Sequence, residues 1–376
     1  MSKDICVIGA GVVGLALAKE MAKRGMEVEV CDMKRKISDN ADKASGILSK
    51  KGLDSTGINY NNAIVNALDG AVIHSKNEEL RIKAKETKAF ILDRAALSEI
   101  CKKEAEAEGV KISLGRKIDK KEIKELQKEY KVIVGADGAV STVANAFNFP
   151  NISDYILTYK AKCTVKQVKD KNVVDLYFDN NITNCFFGWV APHSDSIIEI
   201  GVGVDSKFKK NSKNTFDKFI ENPDISNIIG ENEIINGQGS LIPINTREKT
   251  VIKNVLLVGD AAGQVKATTG GGIIFGIKCA KTAADAIWEN ITYGKDLRIY
   301  ETEWRRKFGA DLYIHKLTHN YYSLLGNNQM DMLLKTIKVL KGEKFFSKYG
   351  DMDSPKEMIK KFFFRNLVKN QQPKKE

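Results

Sequence analysis

The alternation of apolar and polar positions divides the chain into two kinds of territory. Ile5–Ile8 and Val28–Cys31 are short, nearly unbroken apolar runs, the pattern of strands buried on both faces, and the residues between them repeat with the period of a helix to Lys23. The same rhythm returns as a helix from Arg94 to about Glu108, a strand at Val110–Leu114, a charged helix at Lys120–Glu129 and a buried strand at Lys131–Ala136. It returns a last time at Val255–Val258, which leads through a glycine-rich stretch into a helix expected to end near Trp288. Elsewhere the apolar runs are shorter and closely spaced. Ala71–Ile73, Leu80–Ile82 and Ala89–Ile91 read as strands of a second sheet, and Lys160–Val168, Val173–Phe178, Cys185–Val190 and Ile197–Val204 read as an antiparallel sheet with a helix near Asn214–Glu221. Ala41–Leu53 reads as a polar, glycine-containing loop, and the chain is helical from Ile299 onward. The expected class is therefore α/β. A Rossmann-like domain takes residues 1–62, 91–150 and 245–290, an inserted antiparallel-sheet domain takes 63–90 and 151–244, and 291–376 form a C-terminal helical region.

Composition narrows the function classes. The chain has 376 residues, 43% of them hydrophobic, enough for such a core, and no apolar run reaches the 18 residues of a membrane-spanning helix. Nothing at the N-terminus has the form of a signal peptide, so a cytoplasmic location is expected. The six cysteines include no CxxC pair, which argues against a zinc site and a disulfide framework; no metal is expected. A net charge of +12 suits a nucleic acid, an anionic membrane surface or an acidic substrate. The lysines are scattered and no nucleic-acid recognition motif accompanies them, so nucleic acid is set aside and peripheral contact with an anionic membrane stays open. Lys360–Arg365 mixes phenylalanines with cations on an expected helix, which fits either a bilayer surface or docking on the core.

The first strand runs directly into Gly9-Ala-Gly11-Val-Val-Gly14, and Asp32 ends the next strand 18 residues beyond Gly14. This is a dinucleotide fingerprint in its required setting of strand, turn, helix, strand and acid. Gly9 makes the tight turn, Gly11 lets the backbone meet a pyrophosphate, Gly14 lets helix pack on strand, and Asp32 suits ribose hydroxyls. Two further strands end in related turns, Asp137-Gly138 and Gly259-Asp260. The second precedes Gly270-Gly271-Gly272, where bare backbone N–H groups at a helix start suit an anionic group. Asp93 suits a helix N-cap, and Arg94 beside it suits either a phosphate or a surface partner. Cys185-Phe-Phe-Gly-Trp-Val-Ala-Pro192 reads either as core or as the wall of an apolar pocket.

Together the fingerprint, the two Asp/Gly turns and the wording VGDAAGQVKATTGGGIIFGI resemble the FAD-binding fold of the para-hydroxybenzoate hydroxylase class, and within it the geranylgeranyl reductase family. The resemblance is to the archaeal enzymes that saturate prenyl chains of digeranylgeranyl glycerophospholipids. It covers roughly residues 1–290, and Gly188–Pro192 resembles that family's Gly-Trp-x-Phe-Pro segment. The resemblance implies FAD across Gly9, Gly11 and Gly14, with Asp32 on the adenosine ribose and the strand end near Ile118 beside the adenine. It also implies that Ala44, Ser45 and Leu48, in the loop running to Ser49, lie near the isoalloxazine ring. Arg94 and Asp260 should contact the cofactor, and Gly271, Gly272 and Ile273 should present N–H groups to the flavin's pyrimidine side. There they would stabilise the anionic reduced ring.

The implied reaction saturates C=C bonds of an isoprenoid lipid with a hydride from reduced flavin N5, Phe186, Phe187 and Trp189 forming the wall of the pocket. Electrons would come from a ferredoxin or another reductant. Two departures stand out. The family's loop cysteine falls at Ala44, and its phenylalanine before the proline falls at Ala191. No proton donor is identified by spacing; the flavin itself, a bound water, Tyr177 and His193 are candidates, His193 reading more readily as a solvated loop residue. The alternatives are an FAD-dependent monooxygenase of an apolar substrate and a non-catalytic membrane-associated flavoprotein.

Overall fold

The computed structural model describes residues 3–43, 45–183, 185–230 and 234–370, without the side chains of residues 42, 236 and 363–370. One sheet has six strands in the spatial order Val251–Ile252, Val255–Leu257, Tyr130–Gly135, Lys3–Ile8, Val28–Asp32 and Lys111–Leu114. All pairings are parallel except the first. Ile5, Val7, Val30, Val132, Val134 and Leu256 have no more than 1% exposure, as strands covered on both faces require. Val12–Ala22 and Ile273–Tyr293 cover one face side by side, and Gly276 makes their closeness feasible, since a Cβ there would sit 2.5 Å from Val13 Cγ2. The second of these helices runs five residues past the expected Trp288, to a Gly294 cap at φ +68°.

The second sheet has seven strands, in the order Ile234–Pro243, Tyr155–Thr164, Ile197–Asp205, Gly188–Pro192, Val173–Tyr177, Gly70–His74 and Glu79–Lys83. It is antiparallel apart from one parallel pairing, Val173–Tyr177 with Gly70–His74. The strand expected from Cys185 begins at Gly188, because Cys185 turns the chain at φ +61°. The strand Ile234–Pro243, with its two glycines, gave no clear apolar alternation in the sequence.

The polar loop expected at Ala41–Leu53 is structured. It holds a helical turn at Ala41–Lys43, a strand at Ile47–Ser49 and a helix at Lys50–Asp54 capped by the Ser49 hydroxyl. Ile47 and Leu48 pair with Ile91 and Phe90, so the apolar doublet inside the polar stretch decides the outcome. Ala89–Leu92 accordingly leaves the second sheet and joins Ile47–Ser49 and Ile64–Leu68 in a three-stranded sheet. No helix among the described residues is long and apolar enough to cross a membrane.

Candidate functional site

The C-terminal ends of the parallel strands gather the fingerprint. Gly9 holds φ +112° and donates its N–H to Cys31 O at 2.8 Å; a Cβ there would meet Ala136 O at 2.3 Å. At Gly14 a Cβ would meet Gly9 O at 2.1 Å, whereas at Gly11 nothing lies within 4 Å. The motif thus has two glycines demanded by the fold and one that faces open space. Asp32 turns back to the same loop, accepting from Ala10 N at 2.7 Å and Lys34 N at 2.9 Å. Lys34 lies 3.6 Å from that carboxylate and donates to Ala10 O, so it joins the rim, a residue the motif gave no reason to single out.

Arg94 begins the helix Arg94–Ala107, and Asp93 caps it by accepting from Ala95 N and Ala96 N. The Arg94 Nε is buried without a hydrogen-bond partner. Burial pushes its pKa down while the charge of Asp260 pushes it up. Asp260 is pushed up by its own burial, with Arg94 opposing. They form no ion pair within 4 Å, so a gap separates the two side chains, across which each charge still acts on the other. Gly272 is next to that space, since a Cβ there would lie 2.4 Å from Asp260 Oδ1. Gly270 takes φ +73°, and Gly272 is the N-cap of the helix from Ile273, so the helix start is free of side-chain capping. An orphaned cation, a bare helix start and a glycine facing open space fit a dinucleotide with a diphosphate.

Leu48 is buried, Ser45 half-buried, and Ala44 lies outside the described residues. Ile118 lies near the end of a strand, as expected. It follows Lys111–Leu114 by four residues and is 8% exposed, packed with Cys31 and Ile123 in the core, because its apolar side chain is drawn under the helix Lys120–Glu129.

Phe186, Phe187 and Trp189 lie on one face of the seven-stranded sheet, 3–7% exposed. Phe186 stacks on Phe187 at 4.2 Å. Two strand glycines make room for the rings: a Cβ at Gly201 would strike Trp189 and one at Gly203 would strike Phe186. This cluster includes Ala267 of the glycine-rich loop, and Tyr322 packs against it. A cavity of about 10 Å³ remains at its edge, between Phe178, Phe186, Tyr322 and Met330. These rings pack as core.

Tyr322 belongs to the helix Ala310–Ser323, another contribution the sequence did not announce. Its hydroxyl lies 2.8 Å from His319 Nδ1 and donates to Thr268 O at 3.2 Å, and His315 Nδ1 lies 2.7 Å from the Thr268 hydroxyl. Of the two side chains read from the sequence as candidate proton donors, Tyr177 stacks on His74 and packs on the opposite face of the sheet, away from Trp189. His193 is not solvated: its side chain is 10% exposed and its Nε2 lies 3.7 Å from Glu199. The Pro192 turn folds it back onto that carboxylate, which also binds Lys160 at 2.5 Å and the Trp189 N–H at 3.1 Å. Burial alone would raise the Glu199 pKa, but His193 and Lys160 outweigh it and hold it low. A groove of about 710 Å³ between Arg24, Trp288, Glu303 and Lys307 lies against the helix Ile273–Tyr293 and includes none of these residues.

With this geometry the comparisons agree. Residues 4–146 match the family described as FAD dependent oxidoreductase. The chain is an FAD-dependent oxidoreductase, with the fold that its sequence resemblance implied. It is 28% identical over 367 residues to an uncharacterized protein of Methanocaldococcus jannaschii, covering 93% of this chain and 92% of the relative. It is 27% identical over 377 residues to the digeranylgeranylglycerophospholipid reductase of Methanosarcina acetivorans, covering 90% and 89%. Among solved structures it resembles a geranylgeranyl bacteriochlorophyll reductase-like protein of Thermoplasma acidophilum. The TM-score there is 0.79 at 19% identity, over 95% of this chain and 94% of the other.

Proposed function

We propose that the protein saturates C=C bonds in geranylgeranyl chains of archaeal-type membrane lipids. The observation that carries this reading is the packing of the Phe186, Phe187 and Trp189 cluster onto Ala267, which joins an apolar wall to the glycine-rich loop. The relatives named as reductases of such lipids support the substrate class.

In this reading the backbone at Gly9, Gly11 and Gly14 and the carboxylate of Asp32 hold the adenosine and diphosphate end of FAD, and Arg94 neutralises diphosphate charge. Asp260 holds the ribityl or diphosphate region. Ser45 and Leu48 with the segment of Ala44 flank the ring, and N–H groups of Gly271, Gly272 and Ile273 stabilise negative charge on its pyrimidine edge. When bound and reduced, FAD supplies the hydride equivalent that the alkene requires. The aromatic wall orients the prenyl chain and excludes water, and its rings must part to admit a chain, since their cluster is nearly filled. Tyr322 holds a proton beside the loop; burial raises its pKa well above the ordinary value of 10, so the hydroxyl stays protonated. The reductant would be a ferredoxin or another electron donor.

The test is anaerobic. The FAD-loaded protein is reduced with dithionite, excess dithionite is removed, and a geranylgeranyl glycerophospholipid is added. Reoxidation of the flavin band with a gain of two hydrogens per saturated bond in the lipid is expected. A flavin that stays reduced until oxygen enters overturns the proposal and points to oxygen chemistry.

A further inference from the structure

Nine of the eighteen large apolar side chains that are exposed on the described surface lie between Tyr313 and Phe362, in the helices that follow the glycine-rich loop. They are patterned. On the helix Ala310–Ser323 and its C-cap, Tyr313, Leu317, Tyr321 and Leu324 recur at steps of four, four and three, with exposures of 61, 48, 59 and 83%. The opposite side of the same helix holds Leu312, His315 and His319, which are buried. On Asn327–Val339 and its C-cap, Met332, Val339 and Leu340 are 65, 81 and 74% exposed while Met330 and Leu334 point inward. Ile359 and Phe362 of the final helix are 40 and 50% exposed.

The charge around them is net positive, although Lys335 and Lys338 pair with Glu78 and Lys360 with Glu357. Residues 313–362 carry nine lysines and five acids. Two of the acids, Asp331 and Asp353, are buried, the first bonded to Ser75 and Asn77 and the second to Lys266. Lys341, Lys344 and Lys348 are exposed. Exposed leucine, valine and tyrosine interleaved with lysine is the composition of a surface that rests in the headgroup layer of an anionic bilayer. The apolar tips are buried there, tyrosines sit at the interface and lysines reach phosphates.

We infer that this helical face docks on an anionic membrane surface. The helix Ala310–Ser323 then spans from bilayer to site, since its inner side touches the glycine-rich loop through His315 and Tyr322. Docking does not use the substrate assignment, so either can fail alone.

The experiment is co-sedimentation of the full-length, FAD-loaded protein with phosphatidylcholine vesicles and with vesicles containing phosphatidylglycerol. The L317E/L324E and K344E/K348E variants are run alongside, with light scattering of the free protein. Flavin content and thermal melting of each variant confirm the fold. Expected is binding to the anionic vesicles, weakened about tenfold or more by L317E/L324E, and by K344E/K348E to a degree that added salt reproduces in the unaltered protein. Absence of binding to anionic vesicles, or binding indifferent to L317E/L324E, overturns the inference. A concentration-dependent dimer that L317E/L324E abolishes also overturns it, and assigns the face to a second copy of the chain.

Discussion

Lys266 Nζ lies 2.6 Å from Asp353 Oδ1, both side chains about 5% exposed, so the glycine-rich loop is tied to the residues just before the final helix. The other carboxylate oxygen of Asp353 meets the Ser49 hydroxyl, which caps Lys50–Asp54. Three segments distant in sequence thus share one buried carboxylate. Burial would raise its pKa, but the charge and hydrogen bond of Lys266, with help from Ser49, outweigh it and hold Asp353 below the usual carboxylate range. Asp353→Ala leaves a buried ammonium alone and should cost about 3–5 kcal/mol. Replacing both partners, Lys266→Met with Asp353→Leu, should recover most of that loss, because no buried charge remains. Chemical denaturation of the three proteins checks this; equal stability for the single and double variants would mean that the pair does not carry the link.

The two innermost fingerprint glycines should separate fold from cofactor. Gly14→Ala drives a Cβ to 2.1 Å from the backbone oxygen of Gly9, which no side-chain adjustment relieves, so the protein should be strongly destabilised or fail to fold. Gly11→Ala meets nothing within 4 Å and keeps φ −77°, so the apoprotein should melt within about 2 °C of the parent. Its FAD affinity should nonetheless fall, because the methyl group occupies the space a diphosphate needs. Melting curves of apoprotein and FAD fluorescence titrations give the two readings, and full FAD affinity in Gly11→Ala would remove Gly11 from the site.

Arg94 and Asp260 make the complementary case. Arg94→Met removes a cation whose Nε has no partner, so it should leave the apoprotein as stable as the parent or more so while weakening FAD binding about 10–100-fold. A variant that loses stability but keeps its affinity would show that the guanidinium serves the fold.

How much of this was legible in the sequence follows from how local each signal is. The fingerprint, the strand ends at Asp32 and Asp260 and the cap at Asp93 are set by neighbours within a few residues, and they stand where the pattern put them. Ile118 stands near a strand end as expected, but nothing in the sequence showed that its side chain tucks under the next helix. Ile47 and Leu48 were too short a run to outweigh the polar residues around them; their strand exists because Phe90 and Ile91 lie opposite. Tyr322, His315 and Asp353 could not be found at all. Each reaches the glycine-rich loop across more than forty residues of chain, and no motif marks them. His193 beside Glu199 is the same failure, since a histidine after a proline turn reads as solvated unless the strand opposite is known to place a carboxylate there.

His315 makes the stability of this region depend on pH. Burial first, and then the charge of Lys266, lowers its pKa from 6.5 to about 4, against the smaller opposing pull of Asp353 and Asp351. In the unfolded chain the imidazole titrates near the ordinary value, about 6.5. Between those values the unfolded state binds the proton and the folded state does not, so acidification favours unfolding. Stability from this group is complete above about pH 6.5, falls as pH drops, and levels off below about pH 4. A shift of that size corresponds to roughly 3 kcal/mol, and the residue is only 5% exposed, so solvent screening removes little of it. Asp353 acts at lower pH: with its folded pKa depressed, its contribution holds above the unfolded value near 3.9 and is lost only as pH falls through the folded one. The two groups therefore occupy different windows. His315→Gln should flatten the rise of unfolding free energy between pH 4 and 6.5 while leaving the fall below it intact. Urea denaturation of both proteins at half-unit steps of pH measures this, and a slope unchanged in His315→Gln would show that another group controls the acid limb.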